Sequence, residues 1–399
     1  MGAFDTKAWI GHYAEWTDPN PTIGSDTLVS WFNQAVAMQP KSTATWFMGK
    51  TLTYSQLNEQ VARAAAGLTQ LGVRRGDRVA VALPNCPQHV ITVTAILRLG
   101  AVVVPMNPLF KRREIEYYLE DSGASMLWSV PSEEAVEGAR ERGVPLRTLG
   151  EDGLAPHLAE SPGPVTETVE RDLEDDAVIL YTSGTTGRPK GVPVPLRAAA
   201  AFAVYLTCAV DLRPEDLFWN AADHGWAYGL YYGIVGTLVL GATSVQYRGA
   251  FSPATMVEVI RSQGITNLAG APTMFRALAK AGEVTEDAPL RLRRVSTAGE
   301  PLPPSVLEWG RTALGTEIRD HYGQTELGMV ICTLAHPELA APPRPGSMGV
   351  PLPGIAAEIR DGQIAIDAAS PLFWFPGYLG EPEKTAERFT PDGRWYLTG

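Results

Sequence analysis

The stretch Tyr181-Thr182-Ser183-Gly184-Thr185-Thr186-Gly187-Arg188-Pro189-Lys190-Gly191-Val192 constrains this chain more than any other. It follows Ala177-Val178-Ile179-Leu180, an apolar run that reads as a strand buried on both faces. Glycines then let backbone N–H groups turn toward an anion with no Cβ in the way. Serine and threonine hydroxyls add donors, and Lys190 adds a mobile positive charge. The chemistry is that of a phosphate-holding loop. It is not a Walker loop, because Pro189 stands directly before Lys190 and Gly191 follows it. Taken as composition alone, such a cluster is more often a plain solvated turn.

Around this stretch, strand and helix patterns alternate. Thr53-Tyr54-Ser55-Gln56 is a capping box, opening a helix with Leu57, Val61, Ala64, Ala65, Leu68 and Leu71 on one face. Strands are expected at Val79–Leu83, Ala101–Val104 and Ser125–Trp128. Helices are expected from Pro87 to Gly100 and over Glu114–Asp121. Residues 131–172 read as a surface excursion and linker. The alternation resumes at Ala177 and runs to a strand over Glu317–His321, with a helix over Leu230–Leu240 on the way. After Gly328 short strands with frequent Pro and Gly point to a small barrel.

The expected fold class is therefore α/β: two doubly wound, mostly parallel sheets flanked by helices, plus a small distorted β-barrel. The expected divisions are 1–172, with an aromatic arm holding Trp9, Tyr13 and Trp16; 173–328, carrying the loop; and 329–399. The chain stops on Tyr396-Leu397-Thr398-Gly399, an expected strand leading into a turn, which points to a shortened chain.

Bulk properties exclude some partners. Lys+Arg is 33 against 44 Asp+Glu, a net charge of −11, which suits neither a nucleic-acid backbone nor an anionic membrane. Cys86, Cys208 and Cys332 are scattered with no zinc spacing, as expected of core residues in a reducing compartment, and a cytoplasmic location follows. No apolar run is long enough for a transmembrane segment.

Three further segments carry chemistry. Asp320-His321-Tyr322-Gly323-Gln324-Thr325-Glu326 follows an expected strand, where open α/β sheets bind ligands. Tyr322 offers a flat face for a purine and Thr325 a hydroxyl for a phosphate oxygen. Glu326 offers a hard oxygen for Mg2+. Ser296-Thr297-Ala298-Gly299-Glu300-Pro301 is a second strand end. Asp223-His224-Gly225-Trp226-Ala227-Tyr228-Gly229 is the third; on composition Trp226 and Tyr228 are core aromatics, and a lone His224 is structural.

The order of residues in 181–192 and 320–326 resembles the two signatures of the adenylate-forming superfamily, which holds acyl-CoA synthetases, luciferases and peptide-synthetase adenylation domains. Asn107-Pro108-Leu109 and Asp121-Ser122-Gly123-Ala124 are similar to the acyl-CoA ligase branch. The resemblance implies a phosphate grip by Thr182, Ser183, Gly184, Thr185, Thr186, Gly187 and Lys190, with Thr325 on the α-phosphate. It implies an adenine site at Gly299, Glu300, Pro301, Asp320, His321 and Tyr322. It places Mg2+ on Glu326 with Thr182, and an acyl pocket at Trp226, Tyr228, Gly229, Gly323 and Gln324.

The implied reaction has two steps. A carboxylate attacks the α-phosphorus of Mg·ATP and releases pyrophosphate; coenzyme A then displaces AMP from the acyl-adenylate. Trp226 stands where amino-acid-activating relatives place an Asp, and Gly323 where acetate-specific relatives place a Trp. A medium-chain or aryl acid is therefore expected. A carrier-protein thiol as acceptor and a non-catalytic nucleotide-binding module are the alternatives. In the family a ribose-binding Asp follows Tyr-x-Thr-Gly and a C-terminal lid carries a catalytic lysine; the chain stops before both.

Overall fold

The computed structural model describes residues 18, 21–22, 24, 27–149, 163–182, 187–249 and 251–399. The arm's Trp9, Tyr13 and Trp16, and Ser183, Gly184, Thr185 and Thr186 of the loop, lie outside these. The chain forms two compact units, each assembled from separate stretches of sequence. The amino-terminal unit is Asp26–Arg197 with Asp223–Arg248. The carboxyl-terminal unit is Met1–Ser25, Ala198–Ala222 and Gly249–Gly399.

The amino-terminal unit holds a six-stranded sheet. Its order is Leu146–Thr148, Met126–Ser129, Arg78–Ala82, Val102–Pro105, Asp176–Thr182, Lys190–Pro195. The first five strands are parallel and the last is antiparallel. Val102–Pro105 and Met126–Ser129 are buried at every residue, which is why they read as unbroken apolar runs rather than alternating ones. Lys190–Pro195 carries Pro193 and Pro195, residues that an edge strand tolerates because one side makes no ladder. Thr243–Gln246, Thr43–Phe47 and Lys50–Thr53 lie side by side in the same unit, the first pair parallel and the second antiparallel.

The helix Tyr54–Gln70 starts as expected. Gln56 N–H donates to Thr53 Oγ1 at 3.2 Å and Thr53 N–H donates to Gln56 Oε1 at 2.9 Å. The excursion expected over 131–172 is in part regular. Ser132 caps a helix, Glu133–Arg142, that Gly143 ends at φ 64°, and Leu146–Thr148 adds an edge strand. This helix buries only Ala135, Gly138 and Ala139, so its apolar stripe is too thin to show as periodicity. Gly138 is small by necessity, since a Cβ there would stand 2.8 Å from Ile115 Cγ2.

In the carboxyl-terminal unit, strands lie in the order Val350–Pro351, Gly328–Cys332, Ile318–Gln324, Arg294–Ala298, Asn267–Gly270, Leu217–Asn220. The last four are parallel and the first two antiparallel additions. The small barrel expected after Gly328 is not formed among the described residues. Gly328–Cys332 and Val350–Pro351 extend the larger sheet, and only Ala357–Arg360, Gln363–Asp367 and Trp395–Leu397 remain, as a three-stranded antiparallel sheet. The single helix expected over Leu230–Leu240 is a π-helical segment, Gly229–Val235, running into a short α-helix, Gly236–Leu240. Among the described residues no helix is long and apolar enough to cross a membrane.

Candidate active site

The strand expected to end at His321 runs on to Gln324, so Tyr322, Gly323 and Gln324 are strand residues. Thr325 and Glu326 form the tip of a hairpin that returns as Gly328–Cys332. The turn is closed by Leu327 N–H donating to Gln324 O at 3.1 Å. Gly323 is required by this hairpin. A Cβ there would stand 2.1 Å from Gly328 O and 2.7 Å from Met329 Cα, both backbone atoms.

Beside the hairpin lies a cavity of about 420 Å³, within the range of small-ligand sites. Gly299, Glu300, Pro301, Asp320, His321 and Tyr322, assigned to adenine in the sequence, all line it, together with Leu302, Gly323, Gly346 and Met348. None of these lining residues is Lys or Arg. The cavity therefore suits an uncharged flat heterocycle rather than a polyanion. Glu300 is held from the helix Pro272–Ala281: Oε1 accepts from Thr273 Oγ1 at 3.2 Å and Oε2 from Arg276 Nη2 at 2.9 Å.

Two of these lining residues differ in their surroundings. Burial pushes the Asp320 carboxyl up to about 6, against the backbone N–H groups of His321 and Leu302 that favour its charged form. The His321 imidazole is buried and already occupied: Nε2–H donates to Thr333 O at 3.3 Å and Nδ1 accepts from Tyr205 Oη at 2.8 Å. Burial lowers it to about 3, so it stays neutral.

Glu326 is 5% exposed, and its Oε1 accepts from the Tyr378 hydroxyl at 2.6 Å. Among the described residues no group of three or more His, Cys, Asp or Glu side chains could hold a metal on its own. A single hard carboxylate is nonetheless what Mg2+ takes when phosphate oxygens supply its other ligands, so Glu326 fits. Gln324, expected in the acyl pocket, has its amide engaged: Nε2 donates to Thr398 O at 2.8 Å and Oε1 accepts from Tyr396 Oη at 2.8 Å. Tyr378 was not singled out in the sequence, and Tyr396 was named only for the segment it opens, not for its contact with Gln324. The aromatic density of Phe373-Trp374-Phe375 and Tyr378 was the available signal.

In the amino-terminal unit, Thr182 and Lys190 are register partners at the end of an antiparallel strand pair. The two described ends of the signature loop are thus paired across an antiparallel ladder, and the strand Lys190–Pro195 follows the loop. Both ends of the loop are anchored. Tyr181 Oη donates to Asp121 Oδ2 at 2.7 Å, and Tyr117 Oη donates to Pro189 O at 2.6 Å. Arg188 lies over the Tyr117 ring at 5.7 Å.

Trp226, Tyr228 and Gly229 belong to this unit too. Trp226 is 40% exposed, in edge contact with Phe110, and lines a cleft of about 510 Å³ with Tyr117, Arg113, Arg142 and Arg188. Gly229 is buried at the start of the π-helical segment, and Tyr228 packs edge-on against Tyr232. Gly225 has no room for a side chain, since its Cβ would meet Asn107 N at 2.7 Å. His224 is buried edge-on to His89, and burial lowers both imidazoles.

The family model described as AMP-binding enzyme matches residues 32–365. The chain is 33% identical to an acetyl-coenzyme A synthetase of Methanothrix thermoacetophila over 404 aligned positions, covering 88% of this chain and 61% of the relative. It is 30% identical to a mitochondrial acyl-coenzyme A synthetase of Rattus norvegicus, covering 95% of this chain and 70% of the relative. The crystal structure of a Brucella canis acyl-CoA synthetase superposes with a TM-score of 0.84 at 34% identity, covering 100% of this chain and 75% of that one. The chain thus spans under two thirds of the Methanothrix relative's length. By the match over most of its residues, and by these relatives, the chain belongs to the AMP-binding enzyme family.

Proposed function

We propose that this protein activates a carboxylic acid with ATP, releases pyrophosphate, and passes the acyl group from the adenylate to the thiol of coenzyme A. The observation that carries the reading is the cavity of the carboxyl-terminal unit. It gathers residues from Gly299-Glu300-Pro301 and Asp320-His321-Tyr322, far apart in sequence, around a space with no Lys or Arg among the described residues that line it. Adenine fits this chemistry, with Tyr322 against its face and Asp320 toward its amino group. The relatives named above are an acetyl-coenzyme A synthetase and an acyl-coenzyme A synthetase, which favours coenzyme A over a carrier-protein thiol as acceptor.

The protein's part in the first step is to hold two anions in line while charge builds on the phosphates. Thr182, Ser183, Gly184, Thr185, Thr186, Gly187 and Lys190 hold the β- and γ-phosphates, and Thr325 an α-phosphate oxygen. Glu326 and Thr182 hold Mg2+. When bound, the ion offsets negative charge on the phosphates.

The acid is proposed to be medium-chain or aryl, taken up beside Trp226, Tyr228, Gly229, Gly323 and Gln324. Trp226 in place of a carboxylate argues against an amino acid. A second reading, acetate, is favoured by the name of the Methanothrix relative. It is favoured also by the packing of Gly323, whose missing side chain is demanded by Gly328 O and so is no sign of a widened pocket.

Acid-dependent pyrophosphate release over a panel of acetate, octanoate, benzoate and an amino acid separates the readings. Octanoate or benzoate should be preferred; preference for acetate would establish the second reading, and preference for the amino acid would reject both. Glu326→Ala should cut the release at least ~100-fold, as expected for loss of one electrostatic stabiliser. Near-normal turnover in that variant would remove Glu326 from the metal.

A further inference from the structure

We infer that Tyr378 is a positioning residue for Glu326: its hydroxyl takes up Oε1 and leaves Oε2 as the oxygen offered to a divalent cation. The inference rests on the reading of Glu326 given above and concerns how that carboxylate is aimed.

The Tyr378 hydroxyl donates to Glu326 Oε1 at 2.6 Å, and both side chains are buried, at 6% and 5% exposure. Among the described residues this is the hydrogen bond the carboxylate makes. A buried carboxylate with no partner is costly, and one held at a single oxygen has a fixed plane and a defined second oxygen.

Tyr378 is itself tied down. Its N–H donates to Thr385 Oγ1 at 2.9 Å, and that hydroxyl donates on to Glu381 O at 2.9 Å. The residue before it, Gly377, sits at φ 127°, where a Cβ would stand 2.8 Å from Thr385 Cγ2. The phenol ring packs edge-on against Phe375 at 5.1 Å. On the other side of the hairpin tip, Gln324 is fastened to Tyr396 and Thr398. Both flanks of Thr325 are thus clamped by one stretch of chain, Phe375 to Thr398. Removing a packing hydroxyl would cost stability alone; removing one that aims a metal ligand costs metal affinity, typically 10–100-fold.

The test measures ATP affinity by isothermal titration calorimetry in EDTA and in Mg2+, for the wild type, Tyr378→Phe, Thr385→Val and Glu326→Gln. The readout is the gain in affinity that Mg2+ confers. Tyr378→Phe should reduce that gain about 10-fold while leaving the EDTA affinity within about twofold of wild type. Thr385→Val keeps the phenol but loosens its anchor, and should act in the same direction more weakly. It decides the matter should thermal melting show Tyr378→Phe unfolded. If Glu326→Gln loses the gain and the Tyr378 and Thr385 variants keep it whole, the positioning role is wrong and the metal assignment stands. If Glu326→Gln also keeps it, the metal assignment fails and the role of Tyr378 fails with it.

Discussion

Asp320 carries a physical signature that its sequence position does not reveal. Burial raises its carboxyl to about 6, so between roughly pH 4 and 6 the folded state holds a proton that the unfolded chain has released. Stability from this group is therefore greatest below pH 4 and is lost as pH rises through 6. Asp320→Asn removes that dependence. The stability difference, wild type minus Asp320→Asn, should fall by on the order of 2 kcal/mol from pH 4 to pH 7, measured by urea unfolding. A flat difference would mean that the carboxyl is solvated. Where the sequence resemblance treated Asp320 and His321 alike, their surroundings separate them. Asp320 stands at the cavity with a perturbed proton affinity, while the His321 ring is fully engaged by Tyr205 and Thr333.

The hairpin Ile318–Gln324 to Gly328–Cys332 sets where Thr325 and Glu326 stand. Gly323→Ala would drive a Cβ into the opposite strand's backbone, which cannot move aside as a side chain can. The expected cost is about 1–3 kcal/mol, read from the urea midpoint. An unchanged midpoint would show that the hairpin gives way easily. Elements with thick apolar stripes and strong punctuation were legible in the sequence. The helix from Tyr54 announces itself by a capping box, and Val102–Pro105 by an unbroken β-branched run. Glu133–Arg142 was not legible, because its buried face is made of Ala and Gly. Nor was the extension of the strand past His321, since Tyr322-Gly323-Gln324 has turn-like composition and is held extended by its pairing with Gly328–Ile331.

At the scale of the whole chain, the lining of the cavity was legible where short-range order encodes it, and the contacts that support it were hidden where distant stretches of chain supply them. The cavity residues were readable because two strand ends carry recognisable turns. Tyr378, Arg276 and Tyr396 were not, because each touches a site residue from a distant stretch of chain. The sheets were readable as parallel-rich, whereas the barrel expected after Gly328 misjudged which short strands join the larger sheet. The account turns on adenine occupying the cavity beside Tyr322. Photolabelling with 2-azido-ATP, followed by peptide mapping, tests this most directly. The label should fall on residues 299–302 or 320–323 and be blocked by excess ATP. Blockable labelling confined to any other stretch would contradict it.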